Sequence, residues 1–298
     1  MSSTRHLFLK LSAVTLTALL LASQGAPAQA ATSPAVNQAL EAAAHGSWRT
    51  PKNVERDKYR HPVQTLEFLG IRPDMTVIEV LPGGGWYTEI LAPFLKDHGQ
   101  LIEATWPLAG TTGFFHESAV KYRAKLAANP AIYGKVELTP FVLPDYMQLG
   151  SPDSADMVVT FRNVHDMIFE NVHGMGSDRD LQNFLRSAYT VLKPGGVLGI
   201  EEHRAAADMP LEDAFKLSRV NQAYLIREAE IAGFKLAGTS EINANPKDTR
   251  KENVFFFPPE LDPASGNTAK YAALGEADNM LVKLVKPTIA ATPGMSGM

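Results

Sequence analysis

The sequence predicts an α/β protein, doubly wound around a seven-stranded, mostly parallel sheet whose last strand runs antiparallel. Three observations carry this expectation. From residue 77 onward, short apolar runs rich in β-branched residues alternate with helical spacings, the pattern of a parallel sheet covered on both faces. The stretch VIEVLPGGGWYTEIL (77–91) joins a buried strand to a helix through a proline and three glycines. Finally, the chain closes on two strand-like runs with no convincing helix between them, which reads as an antiparallel pair at a sheet edge.

The first thirty residues stand apart. Arg5 and Lys10 precede an apolar run from Leu11 to Ala22, and Ala28-Gln29-Ala30 follows. A positive start, a short apolar core and an A-x-A end describe a secretory signal peptide, too short for a permanent span, with cleavage expected after Ala30. The expected location is periplasmic or secreted, with no stable membrane anchor after cleavage. The chain has no cysteine, so it has neither a disulfide nor a lipid attachment site. Its formal net charge is −4, and losing Arg5 and Lys10 makes it more acidic. No basic surplus remains to clamp a phosphate backbone, which excludes nucleic acid as the expected partner.

Residues 31–60 form a helical and lid-like segment, with a helix near 36–44 and then the polar run SWRTPKNVERDKYR. Pro62 opens the next helix and Gly70 closes it. After the first strand come expected strands at 100–105, 135–139, 156–161 and 196–202, with helices around 86–96, 116–128 and 178–192. A helix over 219–232 ends at Gly233, and the last two strands lie in FKLAGTSEINA (234–244) and NMLVKLVKP (279–287). One domain is expected over 61–287, with a disordered tail over 288–298.

In an open sheet of this kind, ligands bind beyond the carboxyl ends of the strands. A glycine turn there lets the backbone approach a small molecule while helix N–H groups face it, which selects Pro82, Gly83, Gly84 and Gly85. Tyr87, just inside the helix, carries a hydroxyl that needs a polar partner. The fourth strand ends in Arg162, Asn163 and His165. A histidine with an ordinary pKa near ~6.5 suits general-base work at neutral pH. The fifth ends in Glu202 and His203, an acid and a histidine at a neighbouring strand end, arranged for acid–base or metal chemistry. His165, His173, His203 and Glu202 lack tight ligand spacing, so no metal is expected. From the amino-terminal side ERDKYRHP supplies Arg56, Tyr59, Arg60 and His61.

A strand ending in an acid and a glycine turn, a second strand about 20 residues on, DMVVTFRNVHD, LKPGGVLGIEEHR and a terminal strand pair resemble the class I S-adenosylmethionine-dependent methyltransferases, which have a Rossmann-like fold. The segments YRHP, PGGGWYTEILAP and NANPKD are similar to a group of exported bacterial members known only as predicted methyltransferases. The resemblance covers residues 60–286. It implies S-adenosyl-L-methionine as cofactor, Glu79 as the acid that orders the turn, Gly83 and Gly85 as two of the three motif glycines, and Leu81 where the first usually stands. The acid that holds the ribose in the family falls on Thr105, with Glu103 one pleat deeper on the same face. Asn163 and Arg162 would lie beside the methionine moiety and the acceptor, with His165 as base and His203 second. The resemblance also implies that a segment such as ERDKYRHP covers the site as a lid, which suits an anionic acceptor. The expected function is methyl transfer to an unidentified small molecule. Two other readings stay open: an exported binding or sensor module that kept the fold, and a hydrolytic or metal-dependent enzyme in the same pocket.

Overall fold

The structure, a computed structural model, describes residues 33–168 and 177–288. The expected signal peptide, His173 and the tail beyond residue 288 lie outside the described residues. Seven strands form one sheet in the order β3-β2-β1-β4-β5-β7-β6. They are β1 (Thr76–Val80), β2 (Gln100–Thr105), β3 (Glu137–Pro140), β4 (Ala155–Phe161), β5 (Leu192–His203), β6 (Lys235–Ser240) and β7 (Asn279–Val285). The first five run parallel, and β7 lies between β5 and β6, antiparallel to both. The terminal pair is therefore antiparallel as expected, with β6 at the edge and β7 inside. β7 is buried along most of its length, which its apolar NMLVKLV sequence permits.

Local chemistry sets the helices. In α1 (Pro34–Ala44), Ser33 caps the first turn by accepting from the Val36 N–H, and Pro34 takes a position with no N–H to satisfy. Two single turns, α2 (Pro51–Val54) and α3 (Asp57–Arg60), occupy the polar run read as a lid. In α4 (Pro62–Leu69) Pro62 opens the helix, and Gly70 at φ 82° ends it in the left-handed conformation. The glycine turn leads into α5 (Thr88–Leu95), and α6 (Gly113–Ala128) and α7 (Pro130–Tyr133) cross from β2 to β3. Between β4 and β6 lie α8 (Val164–Ile168), α9 (Asp178–Val191), α10 (Leu211–Lys216) and α11 (Gln222–Ile231).

The sheet divides the core. On one face Ile78, Val80, Val158, Leu198, Ile200 and Val282 meet Phe184 and Leu185 of α9 and Leu225 of α11. On the other, Val77, Leu101, Met157 and Val159 meet Leu40 of α1, Leu66 and Leu69 of α4, and Ile90 and Leu91 of α5. This alternation along each strand is what covering both faces requires. The β6–β7 connection was expected to lack a helix. It contains α12 (Thr268–Leu274), whose Tyr271 packs with Val254, Phe257 and Ala277 in a small separate cluster. Among the described residues, no helix is long and apolar enough to cross a membrane.

Candidate active site

The glycine turn is set by backbone strain. Leu81 adopts φ 55°, a left-handed conformation unusual for a branched side chain, and Gly83 and Gly85 follow at φ 57° and 79°. Side chains added at Gly83 or Gly84 would meet nothing within 4 Å, whereas one at Gly85 would come to 3.0 Å from the Tyr122 ring. Gly83 and Gly84 therefore leave open space, and Gly85 is closed by α6. Lys125 fixes the turn from the same side: its Nζ donates to the carbonyls of Gly84 (2.8 Å) and Gly85 (3.3 Å) and pairs with Glu89 at 2.7 Å.

The open side belongs to a cavity of about 290 Å³ at the carboxyl ends of β1, β4 and β5. Its volume sits near the lower end of the ~300–1,000 Å³ range of small-molecule sites. Leu81, Pro82, Gly83, Gly84, Asn163, Arg162, His165 and His203 line it, so β1, β4 and β5 each deliver expected residues to one place. Arg56 and Arg60 enter from the amino-terminal segment. Val254, Phe255, Pro258 and Pro259 come from the β6–β7 connection and close the remaining side.

At the end of β4, Arg162 is left-handed (φ 60°) and its N–H donates to the Glu201 carbonyl at 2.7 Å. The Asn163 amide donates to the carbonyls of Val80 (3.2 Å) and Leu81 (3.1 Å), tying this end to the glycine turn. Glu202 accepts from four donors: the N–H groups of Val164 (2.6 Å), His165 (3.2 Å) and His203 (2.7 Å), and the His165 ring Nδ1 (2.8 Å). It is fully buried behind His165 and does not line the cavity, so the catalytic role expected of it becomes one of positioning. Burial pulls the His165 pKa down, but the charge and hydrogen bond of Glu202 outweigh it and lift the pKa to about 9. At neutral pH, then, His165 is an imidazolium. His203, with ring centroids 5.5 Å from His165, is held well below the usual histidine range by burial and by the positive charge of His165. Its Nδ1 is buried and, among the described residues, makes no hydrogen bond.

Several expected residues lie elsewhere. Tyr87 is buried, stacked on Phe161 with ring centroids 3.5 Å apart, and its hydroxyl donates to Glu201 at 3.3 Å. Glu201 also accepts from Asn243 Nδ2 at 2.9 Å, and burial pushes its pKa to about 7 against the pull of Arg162. Glu79 is buried beneath the turn and accepts from Thr88 Oγ1 of α5 at 3.1 Å. Glu103 and Thr105 are buried as well, and no carboxylate of β2 lines the cavity. The reason is the strand pleat: Glu103 points into the layer between sheet and α5, beside Glu79. Tyr59 and His61 line a neighbouring cavity of about 200 Å³ with Asn243, while Arg60 alone of that trio reaches the larger one.

Sequence reasoning missed Glu276. It lies in the cavity wall and gathers Arg56, Arg60 and Arg162. An acid 216 residues from Arg60 carries no local signal of that partnership. Among the described residues, no group of three or more histidines or acids is placed to hold a metal ion.

No protein-family model matches the sequence, and no curated protein does. The likeness is at the level of structure. A SAM-dependent methyltransferase from Aquifex aeolicus superposes with a TM-score of 0.50 at 15% identity, covering 84% of this chain and 98% of that one. A geranyl diphosphate methyltransferase in complex with SAM gives 0.53 at 11% identity, covering 83% and 94%. At such identities the comparison establishes the fold, and the sheet order with its antiparallel β7 is that of the class I methyltransferases.

Proposed function

We propose that the protein is an S-adenosylmethionine-dependent methyltransferase acting on a small molecule. The observation that carries this reading is the turn between β1 and α5, whose Gly83 and Gly84 open onto a cavity lined by the ends of β4 and β5. The open turn fits a bulky ligand at close backbone approach. In this reading Pro82, Gly83, Gly84 and Asn163 hold the cofactor, which supplies an activated methyl group when bound.

The chain's own work is positioning and one proton transfer. A proton acceptor must be neutral before it acts. His165 is charged at neutral pH, so the role of base passes from His165 to His203, which burial holds neutral. His165 then presents a fixed positive charge beside it, oriented by Glu202. Exchanging His203 for glutamine should abolish turnover of an acceptor while leaving cofactor affinity intact; undiminished turnover would remove it from the mechanism.

Calorimetric titration of the purified protein with S-adenosylhomocysteine tests the reading directly. Micromolar binding supports it, and no binding at millimolar ligand overturns it. The lack of a β2 carboxylate at the cavity favours a second reading, a binding module on this fold, which the second outcome would select. We further propose that the chain is exported, like the bacterial group its motifs resemble. A mature amino terminus at Ala31 in a periplasmic or culture fraction would support this, and an intact Met1 confined to the cytoplasm would refute it.

A further inference from the structure

Three guanidinium groups converge on one carboxylate in the cavity wall. Glu276 accepts from Arg56 Nε at 2.5 Å, Arg60 Nε at 2.9 Å and Arg162 Nη1 at 3.1 Å. These arginines come from distant parts of the chain: the amino-terminal segment supplies two and the end of β4 the third. Arg60 is held further by the Trp86 ring, 4.9 Å from its guanidinium carbon. Arg49 lies 5.2 Å from the same ring but is matched by Asp57 and Glu89.

The three arginines share their hydrogen-bonded carboxylate. Glu276 accepts from all three, and Glu201 lies 3.7 Å from Arg162 as well. Arg60 is only 3% exposed. Taking a guanidinium out of water without a matching anion is unfavourable by several kcal/mol. Each of Arg56 and Arg60 spends its Nε on Glu276, and among the described residues their terminal Nη groups donate no hydrogen bond although both residues line the cavity. A guanidinium with free terminal N–H groups is the donor set that matches carboxylate and phosphate oxygens in pairs. Two other acids line the cavity: Asp166 lies 3.9 Å from His165 Nε2, and Glu260, on the β6–β7 connection, feels the charges of Arg162 and Glu276 but, among the described residues, makes no hydrogen bond to either arginine of the amino-terminal segment.

We propose that Arg56, Arg60 and Arg162 form an oxyanion subsite, which makes the substrate a small molecule bearing a carboxylate or phosphate group. Glu276 is the positioning residue that gathers the three guanidiniums and leaves their outer edges to the ligand. That the anion belongs to a methyl acceptor rests on the methyltransferase reading; the subsite itself does not.

The test is calorimetric titration of the full chain with inorganic phosphate and, separately, with acetate, at constant ionic strength. Saturable binding of either is expected, and the stronger of the two identifies the group. Arg56→Gln should weaken it by about tenfold or more, since a charge-assisted pair is lost. Arg56 is the most exposed of the three arginines, so its replacement leaves the buried packing in place. Lys121→Gln, the same change of charge at an exposed site on α6, should leave binding unchanged. Equal affinity in the wild type and Arg56→Gln, or no saturation by either anion into the tens of millimolar, overturns the proposal. Arg56-dependent anion binding in a protein that ignores S-adenosylhomocysteine would keep the subsite and discard the methyltransferase reading.

Discussion

Glu79 on β1 and Glu103 on β2 are direct register partners, two carboxyl groups side by side in the buried layer beneath the glycine turn. Both oxygens of Glu103 are buried, beside Glu79, Thr88 and Tyr122. Two buried carboxylates this close cannot both ionise, so the pair holds a proton. Burial lifts Glu79 to about 7, and burial together with the charge of Glu79 lifts Glu103 well above the carboxylate range.

That proton gives the first prediction. An acid whose pKa is raised on folding makes the folded state bind more protons than the unfolded state. The stability it contributes is complete below the ordinary value of 4.5 and is lost as pH rises through about 7. Glu103→Gln removes one acid and offers Glu79 an amide donor. The variant should melt several degrees higher than the wild type at pH 8, with little difference at pH 5. Parallel melting curves across this range would show that the two carboxyl groups do not share a proton.

His165 titrates in the opposite sense. Its pKa, raised to about 9, makes the pair with Glu202 stabilising below the ordinary histidine value of 6.5, and that contribution is lost as pH rises through about 9. In Glu202→Gln, the charge of Asp166 alone is left to oppose burial, and histidine NMR should show the His165 midpoint falling well below 9. The same variant should lose ~3–5 kcal/mol of stability, because one partner of a buried pair is removed. A midpoint that stays near 9 would assign the shift to some other group.

Adjacent glycines should respond differently to the same methyl group. Gly85→Ala combines a left-handed φ with a Cβ at 3.0 Å from Tyr122, and a cost of ~1–3 kcal/mol is expected in denaturant unfolding. Gly84→Ala meets open space and should stay within about 0.5 kcal/mol of the wild type. Gly84→Leu, by contrast, projects into the cavity and should abolish S-adenosylhomocysteine binding while the protein remains folded. Equal stability of the two alanine variants would contradict the closure of Gly85 by α6.

The β6–β7 connection depends on Asp248. It is buried against Arg219, with 2.8 Å between Nη2 and Oδ2, and accepts from the N–H groups of Asp278 and Arg250 at 2.8 Å each. Asp248→Ala would leave the Arg219 charge buried, with an expected loss of ~3–5 kcal/mol. Asp248→Asn keeps an acceptor for both N–H groups and should lose less. Equal losses in denaturant unfolding would assign the whole effect to the hydrogen bonds.

The sequence by itself determined the elements and the end of the sheet where the site lies. β-branched runs, helical spacing, Pro62, Gly70 and the three glycines act through neighbours a few residues away, and such short-range preferences are written locally. They place Gly83, Gly84, Asn163, His165 and His203 at adjoining strand ends. Only the tertiary structure decided what those side chains face. Glu103 reads as a ribose ligand until the register sets it against Glu79, and His165 reads as a base until Glu202 lies 2.8 Å from its ring. Glu276 has no local mark at all, because its partners meet it only when β7 inserts beside β5 and brings the end of the β6–β7 connection over the cavity. Charge state and partnership depend on burial and on groups far away in the chain, and those are properties of the packed fold.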